Sequence, residues 1–108
     1  MVSQLAGRPA EVPPWTFLTN HAHVLICMAQ NPEVRLAEIA RKVGIGERAV
    51  HSIVHDLVHA GYVNLSKSGR NNVYEVRLDR PLRHPLEASH QIIDVFGPLT
   101  AVTVDRLE

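Results

Sequence analysis

One short stretch, AEIARKVGIGERAVHSIV from Ala37 to Val54, constrains the fold more than any other. A helical pattern runs into Gly44-Ile45-Gly46 and resumes at once with Glu47. Two helices separated by so short a break must turn sharply on each other, which is a helix-turn-helix. The corner has physical requirements, and these residues meet them. Gly44 can take a positive φ and end the first of the two helices without a steric penalty. Ala40 is small where the helices cross, and Ile45 can plug the gap between them. Val50 and Ile53 then face back onto Ile39 and Val43, so the opposite, polar face of the later helix is turned outward.

The rest of the chain fits around this corner. Residues 1–14 hold Pro9, Pro13 and Pro14 with little periodicity and read as a flexible arm. Trp15 and Phe17 mark where packing begins. A first helix is expected from Thr19 or Asn20, both good N-caps, to Gln30, ending at Asn31-Pro32. Val34 to Leu36 reads as a short strand or extended entry, followed by a second helix at about Ala37–Val43. A third helix spans about Glu47–Ala60 and is closed by Gly61. Its stripe of Val50, Ile53, Val54, Leu57 and Val58 has the spacing of one buried face. Beyond Gly61 the period becomes two: Val63 and Leu65, then Tyr74, Val76 and Leu78, flank the turn-rich SKSGRNN, predicting a hairpin with a polar tip. Pro85 suits the first position of a last helix at about Pro85–Phe96, stopped by Gly97-Pro98. The expected class is mainly α with a small β-hairpin. The expected domains are the arm at 1–14, the hairpin-bearing helical domain at 15–80, and a C-terminal helix and tail at 81–108.

The exposed face of the third helix carries Glu47, Arg48, His51, Ser52 and His55, with His59 beyond. An α-helix fits the major groove of DNA, where base edges present distinguishable donors and acceptors. Residues near the helix N-terminus reach those edges in such motifs. Arg48 can grip a guanine, His51 and Ser52 can donate or accept, and Glu47 can accept from a cytosine amine or complement the helix dipole. Gly46 is a weaker N-cap than Ser, Thr, Asp or Asn. The formal net charge of zero hides a gradient: from Arg35 to Arg83 nine Lys/Arg face five Asp/Glu, between a segment of net −1 and one of net −3. A basic middle between acidic ends suggests a local footprint for a polyanion.

AEIARKVGIGERAVHSIVHDLVHAGYV followed by SKSGRNNVYEV resembles the winged helix-turn-helix of bacterial MarR-like and ArsR-like regulators. The likeness covers about residues 17–80 and rests on Ala40, Gly44, Val50, Ile53 and Gly61 agreeing together. It implies an α-(β)-α-α-β-β-α order, a recognition helix at Glu47–Ala60 and a wing at Lys67–Asn72. It also implies a homodimer on a roughly palindromic site. On that wing Lys67, Ser68, Arg70, Asn71 and Asn72 would meet backbone phosphates or the minor groove.

Other features carry plainer expectations. His51, His55 and His59 repeat at i, i+4, the spacing of shared metal ligands, but no Cys or acid is placed to complete a site, so no metal or cofactor is implied. His21 and His23 lie two apart and face different ways. Cys27, the single cysteine, reads as core packing. The last helix offers one stripe of Ile92, Phe96 and Leu99 and another of Leu86 and Ile93. Their surplus over one core suggests a dimer contact. No apolar run approaches the roughly 20 residues of a membrane span, and a cytoplasmic location is expected. No phosphate loop or nucleophile–base motif points to an enzyme. The function expected is a sequence-specific, double-stranded DNA-binding regulator, most simply a dimeric repressor. A winged helix devoted to protein–protein contact is the alternative.

Overall fold

The computed structural model describes residues 12–105. Residues 1–11 of the expected arm, and 106–108 of the tail, lie outside the described residues. The element order is α1 (Asn20–Gln30), α2 (Leu36–Val43), α3 (Glu47–His59), β1 (Val63–Ser68), β2 (Asn71–Val76) and α4 (Ile92–Asp105). This is the mainly α fold with one antiparallel hairpin after the third helix, a winged helix-turn-helix arrangement.

Local chemistry sets the helix ends. The Thr19 hydroxyl accepts from the Ala22 N–H and caps α1. At the corner Gly44 stands at φ 88°, and the N–H groups of Gly44 and Ile45 both bond the Ala40 carbonyl. Gly61, at φ 87°, closes α3: its N–H bonds the Val58 carbonyl and the Tyr62 N–H bonds that of Leu57. That pair of bonds is the Schellman closure, which satisfies two carbonyls a helix end otherwise leaves open.

The core is one cluster. Val24, Leu25, Cys27 and Met28 of α1 meet Ile39, Ala40 and Val43 of α2, and Val50, Ile53, Val54 and Leu57 of α3. Tyr62, Val63 and Tyr74 bring the hairpin onto it, and Ile92 and Phe96 bring α4. Ile45 packs against the cluster half-buried, as the corner requires. Cys27 is a free, buried thiol whose pKa is raised by burial, which makes it packing rather than a nucleophile.

Of the two forms expected for Val34 to Leu36, the extended entry is the one observed: Val34 is buried and Arg35 is extended, leading directly into α2. Two other local expectations are corrected. The hairpin tip is shorter than SKSGRNN suggested. Lys67 pairs with Asn72 and Ser68 with Asn71, so only Gly69 and Arg70 make the turn. Gly69 at φ 66° supplies the positive φ that two-residue hairpin loops demand at their first central position. The last helix begins at Ile92, not Pro85. His84 diverts the intervening segment: its ring Nδ1 accepts from the Leu86 N–H and its carbonyl from the Glu87 N–H, while a bridge joins Pro81 to Gln91. Nor does Gly97-Pro98 stop α4, which continues to Asp105 with Pro98 inside. The hydrogen bond that Pro98 cannot donate would have gone to the Asp94 carbonyl. Asp94 and Pro98 are both exposed, so water can serve there instead.

Candidate nucleic-acid interface

The corner and the Gly61 closure hold α3 with one face in the core and the other in solvent. Val50 is fully buried, and Ile53, Val54 and Leu57 nearly so. Glu47, Arg48, His51, Ser52, His55 and His59 are all exposed. Glu47, Arg48, His51, Ser52 and His55 line one shallow depression together with Leu36 from the start of α2. Among the described residues, the side chains of Glu47, Arg48, His51 and Ser52 make no hydrogen bond or ion pair. Their donors and acceptors are therefore uncommitted. Gly46 offers no side-chain cap, so the first N–H groups of α3 also point outward unmet by a side chain.

His55 and His59 stack, with ring centroids 5.6 Å apart and an interplanar angle of 8°. Among the described residues, no three His, Cys, Asp or Glu side chains gather as a metal would need. His21, on α1, instead holds Asp56 of α3, with Nε2 to Oδ2 at 2.9 Å. The hydrogen bond from His21 is the main reason the Asp56 carboxyl titrates below its usual range. Asp56 is thereby committed to α1 and sits beside the exposed ridge rather than on it.

On the wing, Lys67, Ser68, Arg70 and Asn71 are exposed, whereas Asn72 is half-buried and its amide donates to the Tyr74 hydroxyl at 3.4 Å. A second cleft opens between the wing and the α1–α2 connection, lined by Glu33, Arg35, Leu36, Arg70, Asn71 and Asn72 over Val34 and Tyr74. Leu36 borders both depressions, so the two adjoin there. Arg35 lines the second of them, although sequence patterning did not single it out. Its position depends on the Pro32 carbonyl accepting from the Tyr74 N–H at 2.8 Å, a long-range bond that no local pattern announces.

The five residues grouped as a dimer contact are divided. Ile92 and Phe96 are 4% and 5% exposed and belong to the subunit's own core. Leu86, Ile93 and Leu99 remain in solvent, as do Trp15 and Phe17, which meet edge to face with centroids 5.2 Å apart. Phe17, Leu25, Leu57, Ile92 and Phe96 also line an apolar cavity of about 460 Å³, with Asp56 and Arg83 among its polar walls.

One family model falls on the helix-turn-helix just described. The family model of the IclR helix-turn-helix domain matches residues 18–65, from just before α1 into β1. No curated protein matches the chain. Among solved structures, a similar chain is the zinc-dependent MarR family transcriptional regulator AdcR in its Zn(II)-bound state. It is 21% identical, with a TM-score of 0.46 over 91% of this chain and 62% of that one. The present chain thus spans less than two thirds of that regulator. The likeness to winged helix-turn-helix regulators holds at the level of the general class, and the family model that matches is the IclR one. No helix among the described residues is long and apolar enough to cross a membrane.

Proposed function

We propose that this chain is a sequence-specific, double-stranded DNA-binding transcriptional regulator. It works in the cytoplasm as a homodimer, most simply as a repressor. The observation that carries the reading is the outward face of α3: four polar side chains from Glu47 to Ser52, exposed and uncommitted among the described residues. A solvated surface helix has no need of an adjoining tight corner and a basic hairpin on the same side. A helix-turn-helix reader uses the corner to present its helix to the major groove, and a basic hairpin beside it is placed to hold the backbone. In this reading Arg48 and His51 address base edges, with Ser52, His55 and Glu47 beside them. Lys67, Ser68, Arg70, Asn71 and Asn72 hold the backbone. Leu86, Ile93 and Leu99 serve the second subunit.

Selection of binding sites from random duplexes by the purified protein tests the proposal. Enrichment of a two-fold symmetric site is the expected outcome. On that site Arg48→Ala should cost about 1–3 kcal/mol and relax preference at one base pair per half-site. A protein that enriches no sequence, and whose weak duplex affinity ignores both salt and Arg48, would instead be a protein-contact module.

A further inference from the structure

We propose that Arg35 and Arg70 together clamp one backbone phosphate of the bound duplex, in the cleft between the α1–α2 connection and the wing. The proposal rests on the DNA-binding reading above and gives it a second anchoring point, away from the recognition helix.

The cleft is built rather than incidental. Residues 31–35 are held by three bonds: the Asn31 side chain accepts from the Glu33 N–H at 3.1 Å, the Asn31 carbonyl from the Val34 N–H at 3.0 Å, and the Pro32 carbonyl from the Tyr74 N–H at 2.8 Å. Val34 and Tyr74 are 3% and 2% exposed, so both walls stand on the core. Arg35 therefore leaves a fixed backbone next to β2, and Arg70 leaves the two-residue turn at the end of the same strand. Both side chains are exposed and both line the cleft. Neither guanidinium lies within ion-pair distance of a carboxylate among the described residues.

Several ligands could satisfy one arginine. Two unpaired guanidinium forks over a cleft of about 220 Å³, with Asn71 and Asn72 at its edge, fit a compact anion with several acceptor oxygens. Arginine recognises phosphate in that forked way. The cleft also shares Leu36 with the depression on α3, so the two adjoin, as contact of a single duplex with both requires. Glu33 is the one acid in the lining, and it opposes the clamp. Its presence makes the proposal sensitive in both directions.

The test uses the full chain, a duplex selected by the wild type, and anisotropy titrations at several salt concentrations. Arg35→Ala should weaken binding roughly tenfold on cognate and scrambled duplexes alike. It should also flatten log K against log[salt] by about one per protomer. Glu33→Gln should tighten binding a few-fold. A methylphosphonate scan should find one phosphate per half-site whose neutralisation costs as much as Arg35→Ala, with the two losses failing to add. If Arg35→Ala also lowers the melting temperature, the Glu33→Gln and methylphosphonate results decide, since neither disturbs Arg35. Unchanged affinity and slope in Arg35→Ala, alongside a damaging Arg48→Ala, would overturn the clamp and leave the regulator standing. A wild type without duplex affinity would overturn both.

Discussion

Gly61 shows what a single residue can settle. It closes α3 at φ 87°, a conformation an L side chain occupies only at a cost of about 1–2 kcal/mol. The nearest atoms to a Cβ placed there belong to the end of Arg80, with Nη2 at 3.4 Å, and that side chain can move aside. The penalty is therefore backbone strain rather than a clash. Gly61→Ala should lower the urea midpoint by an amount equivalent to about 1–2 kcal/mol while leaving the m-value alone. An unchanged midpoint would mean that α3 can end another way. Positions of this kind are legible in a sequence because glycine itself reports the backbone requirement, and Gly44 was readable for the same reason. Gly46 is the contrasting case. It sits at φ −76° with nothing within 4 Å of an added Cβ, so the corner does not need glycine there. Arg35 was illegible for a different reason: nothing in its neighbours reveals that Pro32 bonds across to Tyr74.

At the scale of elements, the helices with a clear apolar stripe ended within a residue of where periodicity put them, because burial and caps act locally. The C-terminal element did not, because its start depends on competition. Pro85 is a good first residue for a helix, but the ring and carbonyl of His84 capture the N–H groups of Leu86 and Glu87 first. The helix waits for Asp94, whose Oδ2 accepts from the Gln91 N–H at 2.9 Å and lies 3.2 Å from the His90 ring. This is the reach-back half of a capping box. The Gln91 N–H, followed by the His90 ring, holds the Asp94 carboxyl below its ordinary value of 3.8. A depressed carboxylate contributes stability that is fully present above its unfolded value and lost as pH falls through its folded one. Asp94→Ala should therefore melt at a lower temperature than the wild type at neutral pH. The gap should narrow as pH drops below about 3.8, where the native carboxylate takes up its proton. Thermal melts of both proteins at stepped pH measure this, and a gap that stays constant through the acid range would show that the charge of Asp94 is not what starts α4.

Among the described residues of the whole molecule, seven large apolar side chains stand exposed, Leu86, Ile93 and Leu99 of the C-terminal segment among them. The two stripes of the last helix were legible as more than one core needs, but periodicity cannot say which of their residues goes inside. Ile92 and Phe96 go into the subunit's own core, where α4 meets α1, whereas Leu86, Ile93 and Leu99 stay 89%, 44% and 43% exposed. Large apolar side chains outside the core mark a contact surface when they form one contiguous patch. A two-fold dimer is the commonest way for identical chains to cover such a surface. The double variant Ile93→Asp, Leu99→Asp should therefore sediment as a monomer where the wild type sediments as a dimer. Because Ile92 and Phe96 remain in place, its circular dichroism should be unchanged. The variant also separates dimerisation from DNA contact, since α3 and the wing are untouched. It should still bind a half-site, with a slope of log K against log[salt] close to half that of the wild type on the full site, because the slope counts neutralised phosphates. A wild type that is monomeric at every concentration would remove the dimer from the proposal. A charged variant that remains dimeric would move the interface elsewhere, with the exposed Trp15–Phe17 pair as the next surface to charge.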